Sequence, residues 1–84
     1  MDQNQIKSDV KAFILREFLP GEDPALLTDD VQLISDGILD SLAALKLVTF
    51  IEENYQVQMQ PHEISADYLD SLQTIANTVD AKRG

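Results

Sequence analysis

Residues 39–55 read LDSLAALKLVTFIEENY and carry the strongest helix pattern in the chain. Apolar residues recur three and four positions apart through residues 41–54, which is the spacing of one helix face. One line of side chains runs along this face and a second set widens it: Leu42, Leu45 and Val48, then Leu47, Phe50 and Ile51. So broad an apolar arc predicts a helix at the centre of a bundle, with Tyr55 following its end.

Two further amphipathic segments lie at the ends of the chain. Residues 3–18 place apolar side chains on helical spacing, with Asp2 or Asn4 able to cap the start and the pair at residues 20–21, Pro-Gly, ending the helix. Residues 71–81 form the last helix, and the basic pair at residues 82–83 suits the negative end of its dipole. The pattern therefore predicts three main helices.

The connections between these helices are irregular. Residues 19–40 read as a long loop that is anchored by several apolar side chains, with a short helical turn beginning at Thr28. Residues 56–60 alternate like a strand, but nothing else in the chain resembles a pairing partner, so we expect an extended connector. Pro61 opens one turn, and Ser65 caps another that carries Tyr68 and Leu69. The expected fold is a small all-α four-helix bundle, with a short third helix and a long first loop.

Length and composition limit the other possibilities. Eighty-four residues form one domain, residues 1–84, and 44% hydrophobic content is that of a globular chain. The absence of cysteine excludes a disulfide scaffold, a zinc-thiolate site and a cysteine nucleophile, and it fits a reducing compartment. The polar first residues do not form a signal peptide, and no apolar stretch is long enough to insert in a bilayer. We therefore expect a cytoplasmic protein.

The net charge of −9 limits the classes of partner that the protein can bind. A polyanion repels phosphate backbones and anionic lipid surfaces, which disfavours nucleic acid and membranes. Proteins with basic patches would be steered into contact by this field. The charge is also explained by solubility alone, which requires no partner.

The tetrapeptide Leu-Asp-Ser-Leu occurs twice, at residues 39–42 and 69–72. Asp and Ser before an apolar-periodic segment are first of all helix caps. The second copy is explained by capping alone, since Gln73 stands where a capping box needs it. The first copy has Ala43 at the equivalent position and follows Gly37, which is open to conformations that other residues avoid. A phosphodiester on Ser41 would suit the positive end of the helix that begins there.

Residues 36–42, DGILDSL, followed by the helix through residues 52–55, EENY, resemble the signature of acyl carrier proteins. The similarity extends over most of the chain, including the first helix, the long loop, the Pro61 turn and residues 68–72. In that family the Ser of the Asp-Ser-Leu motif carries 4′-phosphopantetheine, so the resemblance implies that Ser41 is the attachment residue. The arm's thiol holds an acyl group as a thioester. A phosphopantetheinyl transferase installs the arm from coenzyme A with magnesium.

The resemblance also implies a carrier without catalytic residues or metal ligands of its own. Its partners would be the transferase, an acyl-activating ligase or acyltransferase, and synthase or modifying enzymes that meet it as a monomer. Carriers of fatty acid synthesis have acidic residues where this chain has Ala43 and Lys46, which favours a specialised stand-alone carrier. Asp40 and Leu42 would shape the recognition motif. The residues expected at the docking face are Leu45, Lys46 and Thr49.

Two alternatives remain open at this point. An aminoacyl or peptidyl carrier would use the same arm for another cargo, although such carriers tend to be less acidic. An unmodified helical adaptor would keep the bundle and lack the arm. His62, the single histidine, follows Pro61 on a polar turn and is expected to be a surface residue. The ligand ladder of a calcium-binding loop is absent.

Overall fold

The computed structural model describes residues 3–83 and confirms the all-α bundle. Its four helices are α1 (Gln3–Glu17), α2 (Ser41–Tyr55), α3 (Ala66–Leu69) and α4 (Leu72–Arg83). Two 3₁₀ turns, Pro24–Leu26 and Pro61–Glu63, lie in the connections. Residues 56–60 connect α2 to the second turn without regular structure: Gln56 caps α2 in the left-handed region (φ +57°), and Gln60 is extended. No strand occurs within the described part of the chain.

The bundle forms because each main helix buries one apolar face in a shared core. α1 packs most extensively against α4, and α2 contacts both of them. The loop before α2 contributes Leu27, Leu33 and Leu39 to the same core, as its apolar content predicted. Fully buried side chains from all four helices complete it: Ile6, Val10, Ile14, Leu47, Ile51, Tyr55, Leu69, Leu72, Ile75, Ala76 and Val79.

The ends of the helices differ slightly from the sequence prediction. α1 stops at Glu17: the amide of Phe18 makes the last helical bond, to the carbonyl of Ile14 at 2.9 Å, and the amide of Leu19 bonds to the same carbonyl at 3.2 Å instead of continuing the helix. Asn4 lies inside α1 and does not cap it, and the alternative cap, Asp2, lies outside the described residues. α4 begins one residue later than expected and continues through the basic pair at residues 82–83.

The helical turn in the long loop also lies earlier than expected. Asp23 caps the first 3₁₀ turn by accepting from the amide of Ala25 at 3.0 Å, and Pro24 supplies the first position. The segment starting at Thr28 forms only a turn, closed by the amide of Val31 at 3.3 Å. It continues no further as a helix. Asp29 instead holds this part of the loop against α1 through an ion pair with Lys7 at 2.8 Å.

The far end of α2 is tied to both neighbouring helices. The buried Tyr55 hydroxyl donates to Asp9 of α1 at 3.1 Å, and Arg83 of α4 donates to the Tyr55 carbonyl at 2.8 Å. Burial, followed by the bond to Asp9, raises the pKa of the Tyr55 phenol above its usual range, so the hydroxyl stays a donor. With 15 residues, α2 places its first residue about 20 Å from this tie.

Candidate functional site

The start of α2 is fixed by Asp40, which is the N-cap residue. Its backbone is extended, and its carboxylate accepts from the amide of Ala43 at 2.8 Å. The Asp40 carbonyl accepts the first helical bond, from Ala44, at 2.9 Å. A single Asp side chain therefore caps α2 without the Glu or Gln of a capping box. Ser41 is therefore the first residue of α2, and its side chain is not needed to cap the helix.

The Ser41 side chain is exposed and chemically unengaged. Within residues 3–83 nothing hydrogen-bonds to its hydroxyl. It lines one open groove of about 530 Å³, and its neighbours Asp40 and Leu42 line a second one of about 360 Å³. The first groove is lined by Ile34, Gly37, Leu39, Asp40, Ser41, Ala44, Leu45, Ile64 and Ser65, and the second by Glu17, Phe18, Gly37, Ile38, Asp40, Leu42, Ala43 and Lys46.

Gly37 turns the chain toward this site. Its φ is +80°, in the left-handed region that side chains rarely adopt, and no atom lies within 4 Å of the position a Cβ would take. The need for glycine is therefore conformational and does not come from crowding. Its amide closes the turn on the carbonyl of Ile34 at 3.0 Å. The conformational role predicted for Gly37 is confirmed.

Asp70, from the second Leu-Asp-Ser-Leu copy, holds the loop that leads to Ser41. One carboxylate oxygen accepts from the amides of Ile34 and Ser35, both at 2.8 Å, and the other accepts from the Ser35 hydroxyl at 2.7 Å. The Asp70 carbonyl accepts from the amide of Leu33, whose own carbonyl accepts from Leu39 at 2.8 Å. The bonds from Ser35, followed by the one from Ile34, hold the pKa of Asp70 below its usual range. Residues 33–39 thus form one closed loop that is hydrogen-bonded to Asp70 at the junction of α3 and α4.

The capping box expected at the second copy is wrong. Ser71 does cap α4, since its hydroxyl oxygen accepts from the amide of Thr74 at 3.1 Å and shares a hydrogen bond with the Thr74 hydroxyl at 2.9 Å. Gln73 does not reach back to the cap. Its side chain bonds instead to Gln3 and Lys7, which the packing of α1 beside α4 brings close, and to Asn77 one turn further along α4, all at 2.9–3.0 Å. Capping therefore explains Ser71 but not Asp70.

The other candidates lie where the sequence placed them. His62 is exposed on the second 3₁₀ turn, with its ring 5.9 Å from that of Tyr68. Glu63, in the same turn, pairs with Lys82 at 2.6 Å. The described residues contain no group of three or more acidic or histidine side chains placed to hold a metal ion. No helix among them is long and apolar enough to cross a membrane.

Replacing Asp40 tests the cap directly. We expect Asp40→Ala to lower the free energy of unfolding by about 1 kcal/mol, because the Ala43 amide loses its acceptor. Asp40→Asn should recover most of this loss. Urea unfolding followed by circular dichroism measures both. Asp36→Ala removes an exposed acid from the same loop and should change stability by less than about 0.5 kcal/mol. An equal loss for the two alanine variants would contradict the cap.

The fold and the site together define a small all-α bundle that presents one free serine at the capped start of its second helix. No family model matches the chain. The chain is 39% identical over 66 residues to lincomycin biosynthesis protein LmbN of Streptomyces lincolnensis. The match covers 79% of this chain and 24% of that protein, so the chain spans about a quarter of its relative.

Proposed function

We propose that this protein is an acyl carrier: Ser41 bears a 4′-phosphopantetheine arm, on which acyl intermediates travel as thioesters between partner enzymes. The observation that carries the proposal is the exposed, unbonded Ser41 hydroxyl at the first position of a helix that Asp40 already caps. A serine needed for stability would be engaged, as Ser71 is. Ser41 is instead held in place and left available.

The residues around Ser41 fit the arm. Its hydroxyl is open to a modifying enzyme, and no base within residues 3–83 hydrogen-bonds to it, so the transferase must supply the proton acceptor. The first turn of α2 has amide groups beyond the one that Asp40 accepts, and its positive end favours a phosphodiester. The chain has no cysteine, so a thioester on this protein requires a thiol from outside the sequence.

In the modification, the Ser41 oxygen forms a bond to the phosphorus that bears the pantetheine of coenzyme A. The diphosphate bond breaks, adenosine 3′,5′-bisphosphate leaves with the electron pair, and the serine proton passes to the base of the transferase. When attached, the arm supplies the thiol that holds the acyl group. The bundle itself catalyses nothing; it fixes the origin of the arm and so raises the effective concentration of cargo at each partner.

The role we propose lies in specialised biosynthesis. The relative is named for lincomycin biosynthesis, and Ala43 and Lys46 stand where carriers of fatty acid synthesis have acids. We propose as partners a phosphopantetheinyl transferase, an acyl-activating ligase or acyltransferase, and synthase or modifying enzymes, all meeting a cytoplasmic monomer. An aminoacyl or peptidyl cargo would use the same arm. The charge of −9 favours the acyl carrier of the two.

Intact-mass spectrometry tests the proposal. The protein is incubated with coenzyme A, magnesium and a broad-specificity phosphopantetheinyl transferase. We expect a gain of one phosphopantetheine, located by peptide fragmentation on Ser41. No gain, or an arm on another residue, would refute the carrier function, and an adaptor without an arm would then be the better description. Loading the product with a panel of acyl and aminoacyl ligases separates the two cargo classes.

A further inference from the structure

The outer face of α2 next to Ser41 is apolar and exposed. Leu42 is 64% exposed and Leu45 is 51% exposed, and within residues 3–83 Leu26 is the other large apolar side chain left so open. Leaving these two leucines in water forgoes the free energy that their burial would release. They lie one and four positions after Ser41, where Leu42 lines the smaller of the two grooves and Leu45 lines the larger. This face lacks a partner within the described chain.

The charge of this face is opposite to that of the protein. Leu42, Leu45, Lys46 and Thr49 are exposed and follow the spacing of one helix face, and their only charge is the Lys46 ammonium. Within residues 3–83, no carboxylate lies within ion-pair distance of Lys46. Three other basic side chains of the chain are paired: Lys7 with Asp29, Arg16 with Glu17, and Lys82 with Glu63.

Of the acids that line a groove with Lys46, Asp40 and Glu17 have partners, and Glu53 lies beyond ion-pair distance of the Lys46 ammonium. Asp40 and Glu17 line the same groove as Lys46, but Asp40 accepts from the Ala43 amide and Glu17 pairs with Arg16 at 3.3 Å. The Thr49 hydroxyl is also satisfied, since it donates to the Leu45 carbonyl at 3.1 Å. A docking protein therefore meets two leucines and one unpaired cation, with few other polar groups to satisfy.

We propose that this α2 face docks a partner enzyme through an apolar socket that places a carboxylate opposite Lys46. The inference rests on the proposed carrier function, which brings such enzymes to Ser41. The net charge alone predicts a partner with a basic patch. Such a patch would place a positive charge next to the Lys46 ammonium in a contact from which water is excluded. Like charges brought together in this way oppose binding, whereas a carboxylate there complements the face. The long-range field still steers encounters, but the contact itself selects an acid.

A selection from a randomised display library of short helical peptides tests the chemistry of this face without a known partner. We expect the enriched peptides that map to the face to combine apolar residues with Asp or Glu. The consensus peptide, titrated into the ¹⁵N-labelled protein, should shift the amides of Leu42, Leu45 and Lys46. Enrichment of Lys or Arg on this face, or of no peptide that maps to it, would overturn the proposal.

Charge reversal gives the decisive comparison. Lys46→Glu should weaken binding of the consensus peptide by about tenfold or more, and exchanging the peptide's acid for Lys should restore it. Lys11→Glu makes the same change in net charge on α1 and should leave binding unchanged. Circular dichroism confirms that both variants fold, and Lys46→Gln gives the intermediate case. Binding that is indifferent to Lys46 would refute the inference.

The same measurements distinguish a failure of the docking inference from a failure of the proposed carrier function. The peptide should bind Ser41→Ala as it binds the unmodified protein, because the contact does not involve the arm. Attachment of the arm together with Lys46-independent binding would overturn the docking inference alone. Lys46-dependent binding by a protein that never accepts the arm would overturn the carrier function, and with it the enzyme as partner.

Discussion

Ser41→Ala is expected to abolish attachment of phosphopantetheine while changing the free energy of unfolding by less than about 0.5 kcal/mol. Ser71→Ala should do the reverse: full attachment, with stability lowered by about 1 kcal/mol. The two serines share the same tetrapeptide, but their hydroxyls differ in engagement. Ser41 is exposed and unbonded within the described chain, whereas Ser71 caps α4 through Thr74. Intact mass and urea unfolding of the two variants measure both quantities.

This pair of variants is its own matched control. Each replaces the serine of Leu-Asp-Ser-Leu by alanine at the start of a helix, so the local sequence change is identical. Attachment that survives Ser41→Ala would place the arm elsewhere. A loss of attachment in Ser71→Ala, with the fold intact by circular dichroism, would show that the second copy also contributes to recognition and would contradict the assignment.

Asp70→Ala is expected to lower the free energy of unfolding by roughly 2 to 3 kcal/mol, the largest loss among the polar substitutions considered. The carboxylate accepts three hydrogen bonds from Ile34 and Ser35, and alanine leaves the two amides without their acceptor. Urea unfolding gives the stability. Hydrogen exchange should show lost protection at these two amides. Asp67→Ala, an exposed acid of α3, should cost less than about 0.5 kcal/mol.

The contribution of Asp70 should also depend on pH. Its pKa is lowered in the folded state, so its stabilisation is complete above the ordinary aspartate pKa of 3.8 that applies to the unfolded chain. It is lost as the pH falls through the lower, folded value. The difference in stability between the protein and Asp70→Asn should therefore be constant near neutral pH and shrink below about pH 4. A difference that grows on acidification would contradict the contact.

The main helices and the position of Ser41 at the start of α2 were predictable because their signals are local. Apolar spacing in residues 41–54 predicts a helix, and the structure places α2 there within one residue. The predicted apolar face was too broad, because Leu42 and Leu45 are exposed while Leu47, Val48 and Ile51 are buried. Gly37 and the DGILDSL string sit within a few positions of Ser41. The all-α bundle follows from three such faces that have no other surface to cover them. The exposed, unengaged serine is the local consequence of an Asp cap.

The role of Asp70 could not be read from its neighbours. Its partners lie 35 and 36 residues earlier, and they meet it only when the long loop folds back across the α3–α4 junction. The capping box predicted for Gln73 was wrong for the same reason, since the packing of α1 on α4 brings Gln3 and Lys7 beside its side chain. One local signal existed: with Ser71 able to cap α4 by itself, Asp70 had no function left at the helix start.

The two faces of α2 have consequences for how such a protein diversifies. Leu47, Ile51 and Tyr55 hold the fold from the inner face, while the outer face carries Leu42, Leu45, Lys46 and Thr49 without contributing to the core. Substitutions on the outer face are therefore nearly free of stability cost, so selection can retune partner choice without first compensating a weakened fold. Under the proposed carrier function, a few changes on this one helix are expected to reassign the protein between pathways. The same separation makes those four positions the natural ones to transplant when a foreign enzyme is to accept this bundle.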